Sequence, residues 1–255
     1  MSGLHEAFLR VPLAHRALHD VSAGRPENSR AAVRAAVARG YGIEIDIQPS
    51  SDGVAMVFHD VMLDRLTGES GPVRQRSCAE LAGIALTGGD EGIPTLAQVL
   101  SDVDDRTPVL IEIKDQDGAM GANVGDLEAA IARDLAGYDG PVAVMSFNPH
   151  SVAAMAELAP GITRGLTTSG YLAEHWPTLP EHVRQNLRGM PDLDRLDVSF
   201  ISHDARDLQS DRVAAVRQSG LPILCWTIRS VEDETKAREV ADNITFEGYL
   251  PALPA

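Results

Sequence analysis

The sequence predicts an α/β protein: a single-domain (β/α)8 TIM barrel with its active site at the carboxyl ends of the strands. Three observations carry that prediction. Short apolar runs alternate with helix-like stretches about eight times along the chain, the order expected of βα units around one closed sheet. The length, 255 residues, suits one such barrel, and no shift in composition marks a second domain. Finally, the polar residues with chemical capacity fall at or near the ends of apolar runs, and a barrel opens all those ends onto one face. A doubly wound open sheet is the competing architecture, but no GxGxxG loop follows the first strand.

Taken in order, Val11 to Ala14 is a short strand delivering His15-Arg16, and a Gly/Pro/Asn-bearing loop runs to Asn28. The Ala-rich stretch from Ser29 to Tyr41 has apolar positions at helical spacing, with Gly40 as its stop. Ile43 to Ile47 alternates three isoleucines with Glu44 and Asp46, so a strand here puts both carboxylates on one face. Asp52-Gly53 reverses the chain, and the strand Val54 to Phe58 delivers His59-Asp60. A polar loop, Leu63 to Ser77, a short helix at Ala79 to Gly83 and a helix from Pro94 capped by Thr95 come next.

Pro108 to Lys114 is an apolar strand with Glu112 and Lys114 on one face. A helix at Asp126 to Gly137, a strand at Val142 to Phe147, a helix at Pro149 to Leu158 and a strand at Ile162 to Thr167 follow. Ser169 to Asp194 is an irregular, proline-bearing excursion with a helix near Glu181 to Leu187. The closing elements are strands at Leu196 to Ser202, Pro222 to Ile228 and Asn243 to Tyr249, with helices at Asp211 to Gln218 and Val231 to Ala241. The expected domain is 1–255, with a short flexible tail over about 250–255.

Composition narrows the function. Net charge is −15 with no basic stripe, which argues against nucleic acid as a partner. No stretch approaches the about 18 apolar residues of a spanning helix, so no stable membrane insertion is expected. With no secretory signal visible, Cys78 and Cys225 are read as reduced, and the expected compartment is the cytoplasm.

Glu44, Asp46 and Glu112, with no cysteine nearby, make an all-oxygen ligand set suited to one hard divalent cation, Mg²⁺ or Ca²⁺. His15 and His59 have the chemistry of an acid and base pair, and Arg16 and Lys114 supply the charge a phosphate needs. Plainer readings stand beside these. Glu44 and Asp46, taken alone, suit the solvent face of an edge strand, Glu112 and Lys114 a structural ion pair, and His59-Asp60 a hairpin end. His5, His19, His150, His175, His182 and His203 are read as structural, and Trp226 as packing or as the mouth of a pocket. Only the conjunction favours metal-assisted phosphoryl chemistry.

Eight segments occur in an order that resembles the glycerophosphodiester phosphodiesterase family: His15-Arg16, Pro26-Glu27-Asn28-Ser29, Glu44-Ile45-Asp46, Asp52-Gly53-Val54, Phe58-His59-Asp60, Leu63-Asp64-Arg65 with Thr67 and Gly71, Ile93-Pro94-Thr95-Leu96, and Ile111-Glu112-Ile113-Lys114. The likeness is dense from Leu13 to Lys114 and thins to echoes such as Ser146-Phe147-Asn148 and Trp226-Thr227. The resemblance implies a TIM barrel with a metal on Glu44, Asp46 and Glu112, general acid/base catalysis by His15 and His59, and phosphate held by Arg16 and Lys114. It implies cleavage of a small-molecule glycerophosphodiester to an alcohol and sn-glycerol 3-phosphate, a glycerol hydroxyl attacking first in many members. A lysophospholipase D-type activity and a non-catalytic binding barrel are the alternatives.

Two departures stand out. Ala17 follows His-Arg where the family usually has Gly, and Ile244-Thr245-Phe246-Glu247-Gly248 stands where many members carry a Thr-Asp-x-Pro type segment. Trp226, Phe147 and Glu247 are the expected pocket-lining residues.

Overall fold

The computed structural model describes residues 3–254. Eight parallel strands close into a barrel: β1 (Leu13–Ala14), β2 (Gly42–Pro49), β4 (Val109–Ile113), β5 (Val142–Ser146), β6 (Thr163–Thr168), β7 (Phe200–Asp204), β8 (Ile223–Ile228) and β9 (Asn243–Phe246). Closure comes from β1, which pairs with β2 on one side and β9 on the other. The extra strand β3 (Ala55–Val57) folds back antiparallel on the end of β2, with Ile47 opposite Val57. The predicted single barrel is therefore observed. Of the predicted domain 1–255, Met1, Ser2 and Ala255 lie outside the described residues.

The helices are α1 (Ala7–Arg10), α2 (Arg30–Arg39), α3 (Cys78–Gly83), α4 (Leu96–Val103), α5 (Asp126–Leu135), α6 (Pro149–Leu158), α7 (Glu181–Gly189), α8 (Asp192–Leu196), α9 (Asp211–Ser219) and α10 (Val231–Ala237). Their boundaries have local causes. Ser29 caps α2 by accepting from the Ala32 N–H at 3.1 Å, and Gly40 ends it at φ 77°, a conformation that costs an L side chain. Thr95 and Gln98 close a reciprocal capping box on α4.

Alternation along the strands splits the core in two. Ile43, Ile45, Ile47, Val109, Ile111 and Ile113 join the cluster that also holds apolar residues of the surrounding helices. Their alternates point inward, where Leu13, Leu110, Ala143, Met145, Phe200 and Leu224 pack with Phe8 of α1. The α1 segment is tied across the amino end of the barrel by Asn243, whose Nδ2 donates to the carbonyls of Phe8 at 2.8 Å and Val11 at 2.7 Å. Gly165 is required in this interior, because a Cβ there would lie 2.4 Å from the Phe200 ring. The stretch after β3 builds its own small core from Met56, Phe58, Leu63, Val73, Leu81, Leu86 and Ile93. It fastens the hairpin that carries His59.

Several boundaries differ from the sequence reading. Helix α1 was not expected from its four residues. The strand read at Leu196 to Ser202 begins at Phe200 and runs to Asp204, because Leu196 ends α8 and Asp197 turns the chain at φ 49°. Leu196 and Val198 alternate like a strand but pack outside it against Val152 and Leu166. Helix α10 stops at Ala237, and turns carry the chain to Ala241. Residues 250–254 lack regular structure, yet Pro251 is buried and its carbonyl accepts from the Tyr41 hydroxyl at 2.6 Å.

Candidate active site

The three carboxylates converge. Carboxylate oxygens of Glu44, Asp46 and Glu112 lie within 4.8 Å of one another, and the residues are 2%, 1% and 8% exposed. The register that sets Asp46 beside Glu112 brings β2 and β4 together here. Burial overturns the edge-strand reading of Glu44 and Asp46: they face the barrel interior, above the apolar floor.

Such a cluster needs cations or protons. Lys114, the residue just after β4, places Nζ 2.7 Å from Asp46 Oδ1 and 2.5 Å from Glu112 Oε1. The Glu112–Lys114 ion pair is thus real, but it belongs to this centre. Burial works against the Asp46 charge, yet Lys114, His59 and Arg16 hold its carboxyl well below the usual range. Glu44 goes the other way: burial, then the Asp46 and Glu112 charges, push it well above its ordinary value. Its Oε2 accepts one hydrogen bond from the Arg16 N–H at 2.9 Å.

That bond depends on a turn after β1 in which Arg16 and Ala17 both take left-handed conformations, at φ 53° and 64°. Glycine suits such a position, which gives the Ala17 departure a physical meaning: the chain accepts about 1 kcal/mol of strain there. The Arg16 guanidinium donates to Glu27 at 2.7 Å, while its buried Nε, 3.6 Å from Asp46, makes no hydrogen bond.

Each proposed catalytic histidine is held by a carboxylate through Nδ1. His15 Nδ1 lies 2.6 Å from Glu247 Oε2, and His59 Nδ1 lies 2.6 Å from Asp60 Oδ1. Arginines steady both carboxylates: Arg229 on Glu247 at 2.6 Å, and Arg65 on Asp60 at 2.6 Å. Arg65 also grips Glu27, so His59, Asp60, Arg65, Glu27 and Arg16 form one continuous network. Burial lowers the His15 pKa, with the Glu247 hydrogen bond opposing it.

Asn28 also belongs to this centre, and reading the sequence for chemistry missed it. Fully buried at φ 58°, it donates Nδ2 to Asp46 Oδ2 at 2.9 Å and accepts the Asp46 N–H at 3.3 Å. Glu27, Asp60, Arg65 and Arg229 were likewise not singled out for a role. The first three lie in the segments quoted above, whereas Arg229 carries no signal of its own.

On the far side, Phe147 packs edge-on against Trp226 (centroids 5.6 Å) and Trp176 (4.9 Å), with Tyr171 6.3 Å away. The Trp226 and Trp176 indole N–H groups are spent on the Ser202 carbonyl and the Ser169 hydroxyl. The excursion after β6 therefore supplies aromatic rings. The small cavity it borders, about 160 Å³, is also lined by Asp204, Arg206 and Asp207. Of the three residues expected to line a pocket, Glu247 borders a separate cavity of about 440 Å³ together with Leu18, His19 and Arg25, while Phe147 and Trp226 pack on each other beside the smaller one.

Comparison with known proteins narrows the chemistry. The sequence profile of the glycerophosphoryl diester phosphodiesterase family matches residues 15–242. A glycerophosphodiester phosphodiesterase of Caldanaerobacter subterraneus subsp. tengcongensis is 27% identical over 217 residues, 82% of each chain. Among solved structures, an Oleispira antarctica phosphodiesterase in complex with the product sn-glycerol-3-phosphate superposes with a TM-score of 0.77 at 25% identity, over 94% of both chains. A glycerophosphodiester phosphodiesterase from Parabacteroides distasonis shares the fold, with a TM-score of 0.72 at 20% identity over 93% of this chain and 92% of the other. Two carboxylate-held histidines, cations and a buried acidic centre at one barrel mouth thus belong to a phosphoric diester hydrolase. The chain is a member of the glycerophosphoryl diester phosphodiesterase family. No helix among the described residues is long and apolar enough to cross a membrane.

Proposed function

We propose that this enzyme hydrolyses small glycerophosphodiesters to an alcohol and sn-glycerol 3-phosphate, with one divalent cation and two histidines. The observation that carries the reading is the buried triad of Glu44, Asp46 and Glu112 flanked by two carboxylate-held imidazoles.

The residues fit a hard cation. All donors are oxygens, they converge from two adjacent strands, and the raised pKa of Glu44 marks a place where added positive charge is favourable. Mg²⁺ and Ca²⁺ both suit such a set. When bound, the ion supplies Lewis acidity toward the phosphate oxygens and the attacking hydroxyl.

The chain's own groups do the rest. Arg16, whose Nε makes no hydrogen bond, and Lys114 offer hydrogen bonds and charge to the non-bridging phosphate oxygens. Because Nδ1 of each imidazole is committed to a carboxylate, Nε2 is the nitrogen left to exchange protons with substrate. One of His15 and His59 takes the proton of the attacking glycerol hydroxyl and the other gives a proton to the leaving alkoxide, which leaves a cyclic phosphate; with the two roles reversed, water then opens that ring to sn-glycerol 3-phosphate.

Phe147 and Trp226 line the alcohol side. The charged residues and small volume of the neighbouring cavity favour a polar head group over the acyl chain of a lysophospholipid. The test is release of sn-glycerol 3-phosphate from glycerophosphocholine and glycerophosphoethanolamine, with lysophosphatidylcholine alongside. Turnover of the first two identifies glycerophosphodiesters as the substrate class. Turnover of the lysolipid alone would replace this reading.

A further inference from the structure

We infer that Glu247 is a positioning residue for His15, fixing its tautomer and orientation, and that Arg229 anchors it. The inference rests on the reading of His15 as a proton-transfer group, and goes beyond it by giving this chain's departure at the end of β9 a defined task.

The geometry is direct. Glu247 Oε2 lies 2.6 Å from His15 Nδ1, while Oε1 accepts from Arg229 Nε at 2.7 Å and Nη2 at 2.6 Å. The two oxygens are thus divided between the imidazole and a guanidinium. A guanidinium on one oxygen prevents the carboxylate from swinging away, and His19 Nε2 at 3.7 Å closes the remaining side. The His15 hydrogen bond heads the causes that hold Glu247 below the usual carboxylate range, so the group that meets Nδ1 is an anion.

An anionic oxygen at Nδ1 admits one neutral arrangement: the proton on Nδ1 and the lone pair on Nε2. Without that partner a buried imidazole divides between tautomers and rotates more freely. In other hydrolases, replacing the carboxylate behind a catalytic histidine by its amide lowers kcat by about 10⁴ through the wrong tautomer. His15 follows β1 and Glu247 follows β9, so the pair also crosses the seam where the barrel closes. The backbone supports this: the His15 N–H donates to the Phe246 carbonyl at 2.8 Å. Glu247 touches no reacting atom in this account and acts through His15.

The experiment compares wild type, Glu247→Gln, Glu247→Asp and His15→Ala. One readout is kcat and KM on glycerophosphocholine with Mg²⁺. The other is the long-range ¹H–¹⁵N NMR pattern of the His15 ring in the metal-free protein, assigned by its loss in His15→Ala. Glu247→Gln is expected to lower kcat by about 10²- to 10⁴-fold with KM changed by less than about threefold, and to shift the His15 ring away from the Nδ1–H pattern. Glu247→Asp should recover part of the rate and of the NMR pattern. A Glu247→Gln protein that keeps both the wild-type rate and the Nδ1–H pattern overturns the inference. Should Glu247→Gln fail to fold, Arg229→Gln replaces it, and an unchanged kcat and ring pattern there removes the anchoring role. If wild type turns over nothing, the functional reading fails, while the ring pattern still decides whether Glu247 sets the tautomer.

Discussion

Asn28 holds Asp46 from both ends, donating to its carboxylate at 2.9 Å and accepting its backbone N–H at 3.3 Å. Both residues are fully or almost fully buried, and Asn28 sits in a left-handed turn that asparagine tolerates better than most residues. The acidic centre is therefore set as much by an amide as by charge.

Asn28→Ala is expected to destabilise the protein by about 2–4 kcal/mol, from lost buried hydrogen bonds and backbone strain. Urea unfolding measures this directly. A loss under about 0.5 kcal/mol would show that Asp46 does not depend on the clamp.

Glu44→Gln should separate stability from metal binding. The folded-state pKa of Glu44 lies above its ordinary 4.5, so its ionisation costs folding stability as pH rises from that value through the folded one. Gln removes the charge and keeps an oxygen for the Arg16 N–H. The metal-free variant is expected to gain about 1–2 kcal/mol near pH 8, less near pH 5, seen as a rise of roughly 2–4 °C in Tm per kcal/mol. Calorimetric titration should show weaker Mg²⁺ and Ca²⁺ binding. A variant less stable than wild type at pH 8 contradicts this account of the electrostatics.

His15→Ala and His59→Ala should each lower kcat by about 10²- to 10⁴-fold while the circular dichroism spectrum is unchanged. Wild-type rates from both in a metal-replete assay would remove the proposed acid/base pair.

The barrel and its inward-facing charges were legible in the sequence because both follow from period-two alternation. Ile43, Ile45 and Ile47 against Glu44 and Asp46, or Ile111 and Ile113 against Glu112 and Lys114, assign faces without further information. The same parity reaches Glu247: Asn243, Thr245 and Glu247 alternate with Ile244 and Phe246. Its partner was not legible, since His15 lies 232 residues away and the contact exists only once the barrel closes. Asn28 hid for another reason, because a neutral amide in a loop carries no charge signal. The strand at Leu196 was misplaced because Leu196 and Val198 alternate correctly but bury against Val152 of α6 and the outer face of β6 at Leu166 instead of entering the sheet.

Trp226→Ala should raise KM for glycerophosphocholine by about 5- to 30-fold with a smaller change in kcat, the loss of one aromatic wall being worth about 1–2 kcal/mol. Steady-state kinetics on choline and ethanolamine esters measures it. An unchanged KM for both would move the alcohol side away from the aromatic group.

The most direct test of the central claim is release of sn-glycerol 3-phosphate from glycerophosphocholine by the purified protein, treated with EDTA and then given excess Mg²⁺ or Ca²⁺. No release is expected with EDTA and restored release with at least one ion, together with loss of that restoration in Glu44→Gln. Full release in EDTA, or none with any divalent ion, would contradict it.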